Sequence, residues 1–344
     1  MIALLVSGGV ALVVALGATP VYIRWLHSRG IGQQIREDGP KGHFTKAGTP
    51  TTGGLMIVAG ALAGYVAGHL RAGAIFTRGG LLVALAIAGA ALVGLADDWI
   101  KVRHQRSLGL NKRTKVAGQL VVAGGFAVLA LNLASVNTDL AFTRWNSIGL
   151  DLGPVGWTVL AMLMVIGTSN AVNLTDGLDG LAAGASTFAF SAFAIIGFWQ
   201  FRHFDVYRVP QALDLALLAV AMTGACAGFL WWNAAPARIF MGDTGSLAIG
   251  AGLAALALLM NVHLLLPVIG GLYVLETLSV MVQVASFRFF HRRVFRMAPV
   301  HHHFELLGWP ETTVIVRFWI LAGLCTAMAL GLFYADFISI GGID

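Results

Sequence analysis

The sequence predicts an all-α, polytopic integral membrane protein with about ten transmembrane helices. Hydrophobic residues make up 58% of the 344 residues and charged residues only 11%, whereas charged residues make up about a quarter of a soluble globular domain. The apolar residues also occur in blocks that are almost free of charge and long enough to cross a hydrocarbon core of about 30 Å as helices. The placement of the basic residues supports the same fold class.

Ten apolar blocks define the predicted spans, and we expect them to form one transmembrane domain over residues 1–344. The blocks cover residues 2–23, 53–70, 79–96, 116–134, 154–172, 181–201, 212–232, 246–262, 264–287 and 314–335. As one helix, residues 246–287 would be about 63 Å long at about 1.5 Å per residue, so two spans with a turn near residues 261–263 are predicted. The outward loop 135–153 is expected to form a small hairpin.

The lysines and arginines predict how the chain is oriented in the membrane. Loops that follow odd-numbered spans carry 17 of the 22. By the positive-inside rule these loops face the cytoplasm, and both termini are expected to face outward. The net charge of +6 then reflects membrane topology, with an added attraction for anionic substrates, and no pattern indicates nucleic acid as a partner.

Five aspartates lie at the inner ends of three odd-numbered spans. "GLADDWIKVR" carries Asp97 and Asp98, "NAVNLTDGLDGLA" carries Asp176 and Asp179, and "FMGDTGSLAIG" carries Asp243. Interfacial helix capping is the simpler interpretation for a single carboxylate, but carboxylates near hydrocarbon are costly and are usually kept for a function. A cluster of oxygen ligands without thiolates favours Mg²⁺ or Mn²⁺ over zinc.

Polar residues recur every third position in the second of these motifs. Asn170, Asn173, Asp176 and Asp179 would share one face if the helix continued through all four. A glycine-containing helix end is the alternative interpretation, and it explains the glycines but not the four polar residues. We therefore expect these four residues to contact a ligand.

Basic residues and hydroxyls lie near the acidic motifs in the sequence. Lys46 precedes the strip "GTPTTGG", which contains Thr51, and Lys101 follows Asp98 by three residues. Carboxylates for a metal together with cations for phosphate are typical of phosphoryl transfer. The positive-inside rule alone explains most of the cations, so only Lys46 and Lys101 are selected as candidates.

The segment "APVHHHFELLGWPE", residues 298–311, contains three successive histidines. Three successive side chains cannot all point at one ion on a helix or a strand, which argues against a zinc site. Exposed histidines in a polar loop remain an alternative. Because prolines at 299 and 310 would stiffen the loop, we predict a rigid cytoplasmic loop that offers imidazoles to a sugar or pyrophosphate.

These motifs, from "KAGTPTTGG" at residue 46 to the histidine segment, resemble those of the phospho-N-acetylmuramoyl-pentapeptide transferases, within the polyprenyl-phosphate N-acetylhexosamine-1-phosphate transferases. The resemblance implies Mg²⁺-dependent transfer of phospho-MurNAc-pentapeptide from UDP-MurNAc-pentapeptide to undecaprenyl phosphate, with release of UMP. It also implies a single catalytic domain in the lipid bilayer of the bacterial cytoplasmic membrane, a role in peptidoglycan biosynthesis, and a homodimer.

The resemblance also implies roles for individual residues. Asp243 would be the main metal ligand, while Asp97, as base, and Asp98 would activate and place the lipid phosphate. The nucleoside site would be lined by Asn173, Asp176, Asp179, Asn233 and Phe240, with Phe240 stacking on uracil. Phosphate or sugar would be held by Lys46, Thr51 and the run His301–His303. We further expect Asn170 and Lys101 to contact substrate and His302 and His303 to take part in catalysis.

Two other functions fit parts of the sequence. A sister enzyme that uses UDP-GlcNAc to start another surface polymer would share the acidic motifs, although the triple histidine favours the muramoyl-pentapeptide branch. An ion-coupled transporter would also need carboxylates in the membrane. Transporters usually place such groups near the bilayer midplane and often within internal repeats, whereas here they lie at one face and no repeat is visible.

Overall fold

Helices make up nearly all of the regular structure in the computed structural model, which describes residues 1–32, 48–72, 76–104 and 109–341. Nine helices within these ranges are long and apolar enough to cross a membrane, and Gly54–Leu70 is a shorter apolar helix. The prediction of an all-α, polytopic membrane protein is confirmed.

The helices within the described ranges are numbered in chain order. They are α1 Ile2–Ser28, α2 Gly54–Ala72, α3 Arg78–Arg103, α4 Lys112–Leu133, α5 Gly153–Thr175, α6 Leu181–Arg202, α7 Phe204–Tyr207, α8 Ala212–Asn233, α9 Gly242–Leu259, α10 Leu266–Ile269, α11 Gly271–Phe290, α12 Val300–Leu306 and α13 Glu311–Ser339. Between α4 and α5, strands β1 (Asp139–Leu140) and β2 (Leu150–Asp151) pair antiparallel, so the expected hairpin is present.

Helix α9 is the centre of the bundle. Every residue from Asp243 to Leu259 is buried, and α9 packs mainly against α3 and α5. A helix that is apolar on every side is stable where other helices surround it. The contact with α3 is very close at Gly94, where a Cβ atom would lie 2.2 Å from the carbonyl oxygen of Asp243. The missing side chain at Gly94 therefore lets the end of α3 reach the start of α9.

The chain turns between α9 and α11 as expected, but the second span differs from the prediction. A 3-10 turn at His263–Leu265 follows α9, and the predicted span 264–287 is interrupted at Gly270, which separates α10 from α11. The glycine pair 270–271 removes side-chain support for a continuous helix. In contrast to α9, only 22% of α11 is buried, so α11 lies at the outside of the bundle.

Candidate active site

Three aspartates from two helices meet where α3 ends and α9 begins. Asp97 and Asp98 lie in the last turns of α3, and Asp243 lies in the first turn of α9. Each contributes a carboxylate oxygen, and these oxygens all lie within 4.8 Å of one another. All three residues are buried. Asp98 and Asp243 are 145 positions apart in the sequence, and the packing of α3 on α9 brings them together.

Asp98 caps the start of the central helix. Its carboxylate accepts hydrogen bonds from the backbone N–H groups of Asp243 and Thr244 at 3.1 and 3.0 Å, and from the Thr244 hydroxyl at 2.7 Å. The first N–H groups of a helix lack partners within the helix, and a negative charge there is favourable. Both oxygens of Asp98 thus hold the helix that carries Asp243, which is a task the sequence did not indicate.

Two lysines neutralise part of the acidic cluster. The Nζ atom of Lys101 lies 2.6 Å from Asp97 Oδ2 and 3.1 Å from Asp243 Oδ2. Lys115, near the start of α4, also donates to Asp243 Oδ2. Lys101 was predicted, but Lys115 was not, because it shares the first turns of α4 with Lys112 and Arg113 and no sequence signal separates the three cations.

The donor set of this cluster fits a hard divalent cation. Three carboxylates face two ammonium groups, so negative charge exceeds positive charge, and all the anionic donors are oxygens, as Mg²⁺ prefers. Backbone N–H groups occupy both oxygens of Asp98 and one oxygen of Asp97, whereas only side chains contact the Asp243 carboxylate. Lysine ammoniums can move aside more readily than backbone, so Asp243 is the residue that best fits a metal.

Replacing Lys115 by methionine is expected to lower turnover by about 100-fold, because a preorganised positive charge beside Asp243 is lost. The rate of UMP release, the reaction that the family resemblance implies, measures the effect. Lys112→Met serves as the matched control, since Lys112 lies one helical turn earlier and is exposed. Equal turnover of the two variants would show that Lys115 acts only as a general surface cation.

Asn173 and Asn170 both face neighbouring helices, but not the same one. Asn173 donates to Asp243 Oδ1 at 2.9 Å and to Ser246 Oγ at 2.8 Å, so it orients the key carboxylate. Asn170 donates to Gln119 Oε1 on α4 at 3.1 Å. A three-residue step rotates a helix by about 300° and so leaves successive members about 60° apart. That offset directs Asn170 to α4 and Asn173 to α9.

Asp176 and Asp179 lie beyond the end of α5, so the expected alignment of four residues on one helix face does not extend to them. Helix α5 ends at Thr175, and the turn that follows contains two glycines. Asp179 Oδ2 accepts from the backbone N–H of Ala237 at 2.9 Å, which ties the turn to the segment before α9. Burial and the charges of Asp243, Asp98 and Asp179 raise the pKa of Asp176 to about 8, because a further negative charge is unfavourable beside these carboxylates.

The threonine strip is paired with the segment that leads into α9. The Phe240 N–H donates to the carbonyl oxygen of Pro50 at 2.7 Å, and the Gly53 N–H donates to the carbonyl oxygen of Phe240 at 2.9 Å. A Cβ atom on Gly242 would lie 3.0 Å from the Thr51 hydroxyl and 2.5 Å from Asp98 Oδ2. Thr51 is therefore adjacent to the acidic cluster. Lys46 lies outside the described residues.

Asn233 and Phe240, predicted for the nucleoside site, belong to the same region. Asn233 is buried, and its Nδ2 donates to the carbonyl oxygen of Ile239 at 2.9 Å. Its Oδ1 has no hydrogen-bond partner within the described part of the chain, which is unusual for a buried acceptor. Phe240 is partly exposed beside it. This arrangement places a buried amide oxygen without a described partner near the partly exposed ring of Phe240.

The histidine run forms the short helix α12 and not the stiffened loop that was expected. Pro299 is its N-cap residue, and proline is readily tolerated at the start of a helix. His301 is fully buried, with Nδ1 3.0 Å from Glu276 Oε1. His302 Nδ1 lies 2.7 Å from Glu305 Oε2, and His303 Nδ1 accepts from the backbone N–H of Arg296 at 3.1 Å. The three imidazoles therefore have three different sets of partners.

Buried carboxylates paired with lysines at the ends of membrane helices define a membrane-embedded transferase, and comparison with known proteins agrees. Residues 80–261 match the family model for glycosyl transferase family 4. The chain is 54% identical to a phospho-N-acetylmuramoyl-pentapeptide-transferase of Frankia casuarinae, over 98% of this chain and 99% of the relative.

Similar relatives occur in other bacteria. The phospho-N-acetylmuramoyl-pentapeptide-transferase of Streptomyces griseus is 48% identical to the chain, over 96% of this chain and 98% of the relative. The protein of the same name from Rhodococcus opacus is 49% identical, over 98% of this chain and 99% of the relative. The chain belongs to the phospho-N-acetylmuramoyl-pentapeptide-transferase family.

Proposed function

We propose that the protein transfers phospho-MurNAc-pentapeptide from UDP-MurNAc-pentapeptide to undecaprenyl phosphate, forming lipid I and releasing UMP in peptidoglycan biosynthesis. The observation that carries the proposal is full-length similarity at 54% identity to a transferase of that name. The acidic cluster supports it, because the buried residues Asp97, Asp98 and Asp243 lie together, beside Lys101 and Lys115.

The reaction joins two anions, and the site contains the charges this requires. A bond forms between an oxygen of the lipid phosphate and the sugar-bearing β-phosphorus, and the bond between that phosphorus and UMP breaks. Lys101 and Lys115 would compensate the phosphate charges, while Asp97 would place the lipid phosphate and accept its proton. Asn173 holds Asp243 in place during these steps. Bound Mg²⁺ or Mn²⁺, held by Asp243, would supply further positive charge to the phosphates.

The other predicted site residues fit recognition of the sugar nucleotide. Thr51, Asn233 and Phe240 flank the acidic cluster on the side of the α8–α9 segment, and we propose that Phe240 stacks on uracil. Asp176, Asp179 and Asn170 lie on the α5 side. His302 and His303 on α12 would contact sugar or phosphate. Lys46 keeps its proposed phosphate contact on the basis of the family resemblance.

We further propose that the protein is a homodimer in the bacterial cytoplasmic membrane, with both termini outside and the acidic cluster at the cytoplasmic face. Nine apolar helices in the described ranges support a multi-pass membrane protein. The lysines and arginines concentrated in the loops near the cluster support its cytoplasmic placement. In this orientation the site meets the soluble nucleotide and the phosphate of a lipid in the inner leaflet.

Purified protein in detergent is expected to release UMP only when UDP-MurNAc-pentapeptide, undecaprenyl phosphate and Mg²⁺ are all present. A chelator should abolish turnover, and added Mg²⁺ or Mn²⁺ should restore it, because the cluster offers only oxygen anions to a metal. Equal turnover without a divalent cation would refute the metal role. Preference for UDP-GlcNAc in a competition assay would instead favour the sister enzyme.

A further inference from the structure

A buried ion pair lies outside the acidic cluster and has no role in the chemistry described above. Glu276 of α11 and His301 of α12 are both fully buried, and Glu276 Oε1 lies 3.0 Å from His301 Nδ1. Neither oxygen of Glu276 and neither ring nitrogen of His301 makes a hydrogen bond of normal geometry within the described ranges, so their contact is one of close approach only. Burying a carboxylate is costly, and apolar residues of similar size often stabilise a protein equally well. The pair therefore calls for an explanation other than stability.

The pair connects three segments of the site. Glu276 belongs to α11, His301 belongs to the helix of the histidine run, and His301 packs on the turn that carries Asp176 and Asp179. A Cβ atom on Gly177 would lie 2.3 Å from His301 Nε2, so the imidazole occupies the space that a side chain there would need. The absence of a side chain at Gly177 permits this contact.

His301 anchors α12 together with Phe304, whose ring packs against Trp309 and Phe318. Only Val300 and His301 are buried in this seven-residue helix. A helix so short is unstable without tertiary contacts, and His302 and His303 follow directly after His301. A shift of His301 would therefore move both neighbouring imidazoles and release the turn at Gly177.

We propose that Glu276 is a positioning residue for the transfer reaction. Through His301 it fixes α12 against the turn at Gly177. It thereby sets the positions from which His302, His303 and Asp176 face the substrate. This proposal rests on the proposed function. His301, expected from the sequence to contact phosphate or sugar, then acts by holding its neighbours. Glu276 acts on the substrate only through His301, because its described side-chain contact is with His301.

The test compares three substitutions at Glu276. Glu276→Leu removes the carboxylate that lies against His301 and should lower turnover by about 100-fold, the scale expected for a misplacement of about 1 Å. Glu276→Gln keeps an oxygen at the same reach and should retain at least about tenfold more turnover than Glu276→Leu. Glu276→Asp keeps the charge but is one methylene shorter, so it should lose turnover like Glu276→Leu.

Two measurements separate positioning from a merely structural role. Turnover of Glu276→Leu is measured per folded molecule, since removing one partner leaves His301 buried without the other and should lower the melting temperature. Backbone hydrogen exchange over residues 300–306 should be faster in Glu276→Leu, since α12 loses one of its anchors. If Glu276→Leu does not fold, the comparison of Glu276→Gln with Glu276→Asp decides, and lower turnover in Glu276→Gln than in Glu276→Asp overturns the proposal.

A second buried histidine–carboxylate pair provides the matched control. His69 Nε2 and Asp214 Oδ1 are 2.9 Å apart and buried, and they link α2 to α8. Asp214→Asn should leave turnover per folded molecule unchanged. Wild-type turnover together with wild-type exchange in Glu276→Leu would overturn the positioning role while leaving the proposed function intact. An inactive wild-type enzyme would refute the proposed function, and the exchange measurement would still test the anchor.

Discussion

Replacing Asp243 by asparagine is expected to lower turnover by about 1000-fold while the protein remains folded. Lys101, Lys115 and Asn173 all contact the Asp243 carboxylate, so its charge organises the whole cluster. Asparagine has nearly the same shape but no charge, and the loss of a preorganised charge in a buried site has effects of this size. The rate of UMP release at saturating substrates, with the melting temperature measured in parallel, checks this result.

Asp336→Asn is the matched control for Asp243→Asn. Asp336 of α13 also pairs with a cation and a polar side chain, accepting from Arg144 Nε at 3.0 Å and from the Thr143 hydroxyl at 2.7 Å, but it belongs to the hairpin end of the protein. Turnover of Asp336→Asn should stay close to that of the wild type. If Asp243→Asn were as active as Asp336→Asn, Asp243 would have no role with a metal or with phosphate.

Asp98→Ala is expected to lower stability and turnover together, unlike Asp243→Asn. Asp98 makes three hydrogen bonds to the first turn of α9, and a buried charged acceptor contributes about 1.5–3 kcal/mol for each bond. Their effects overlap, so a loss of about 3 kcal/mol in unfolding free energy is expected. Because Asp243 lies in the same turn, turnover should fall by at least about 100-fold.

Thr244→Val provides the graded comparison for Asp98→Ala. It removes one of the three hydrogen bonds, that of the Thr244 hydroxyl, and leaves the carboxylate and both backbone bonds in place. Its melting temperature should lie between those of the wild type and Asp98→Ala. A wild-type melting temperature in Asp98→Ala would mean that the cap does not hold α9, and the effect on turnover would then belong to substrate contacts alone.

The fold class followed from the sequence because hydropathy acts over whole helices. Uncharged blocks of about twenty residues have few alternatives to membrane helices. The break at Gly270 was not predicted, because apolar residues continue on both sides of it and hydropathy does not respond to backbone geometry. The helix of the histidine run was also missed, since two prolines at its borders suggested a loop.

The sequence predicted which residues belong to the candidate site. It did not predict which of their side chains contact one another. Asp97, Asp98 and Asp243 stood out because each is a charge in an apolar setting, and they do meet. The division of tasks between them was hidden, because it depends on which carboxylate faces the start of α9. Lys115 and Glu276 were left unassigned for the same reason: the side chains that explain them lie 128 and 25 residues away along the chain.

The burial of α9 on every side has a consequence for the depth of the reaction in the membrane. Its 18 residues give a helix of about 27 Å at about 1.5 Å per residue, a little less than the hydrocarbon thickness of about 30 Å. A helix in contact with lipid would have to tilt or thin the bilayer to match that thickness, but α9 touches other helices and is free of this requirement. Its first turn can therefore lie below the level of the head groups, and under the proposed function the phosphate of a lipid substrate would reach Asp243 without being lifted out of its leaflet.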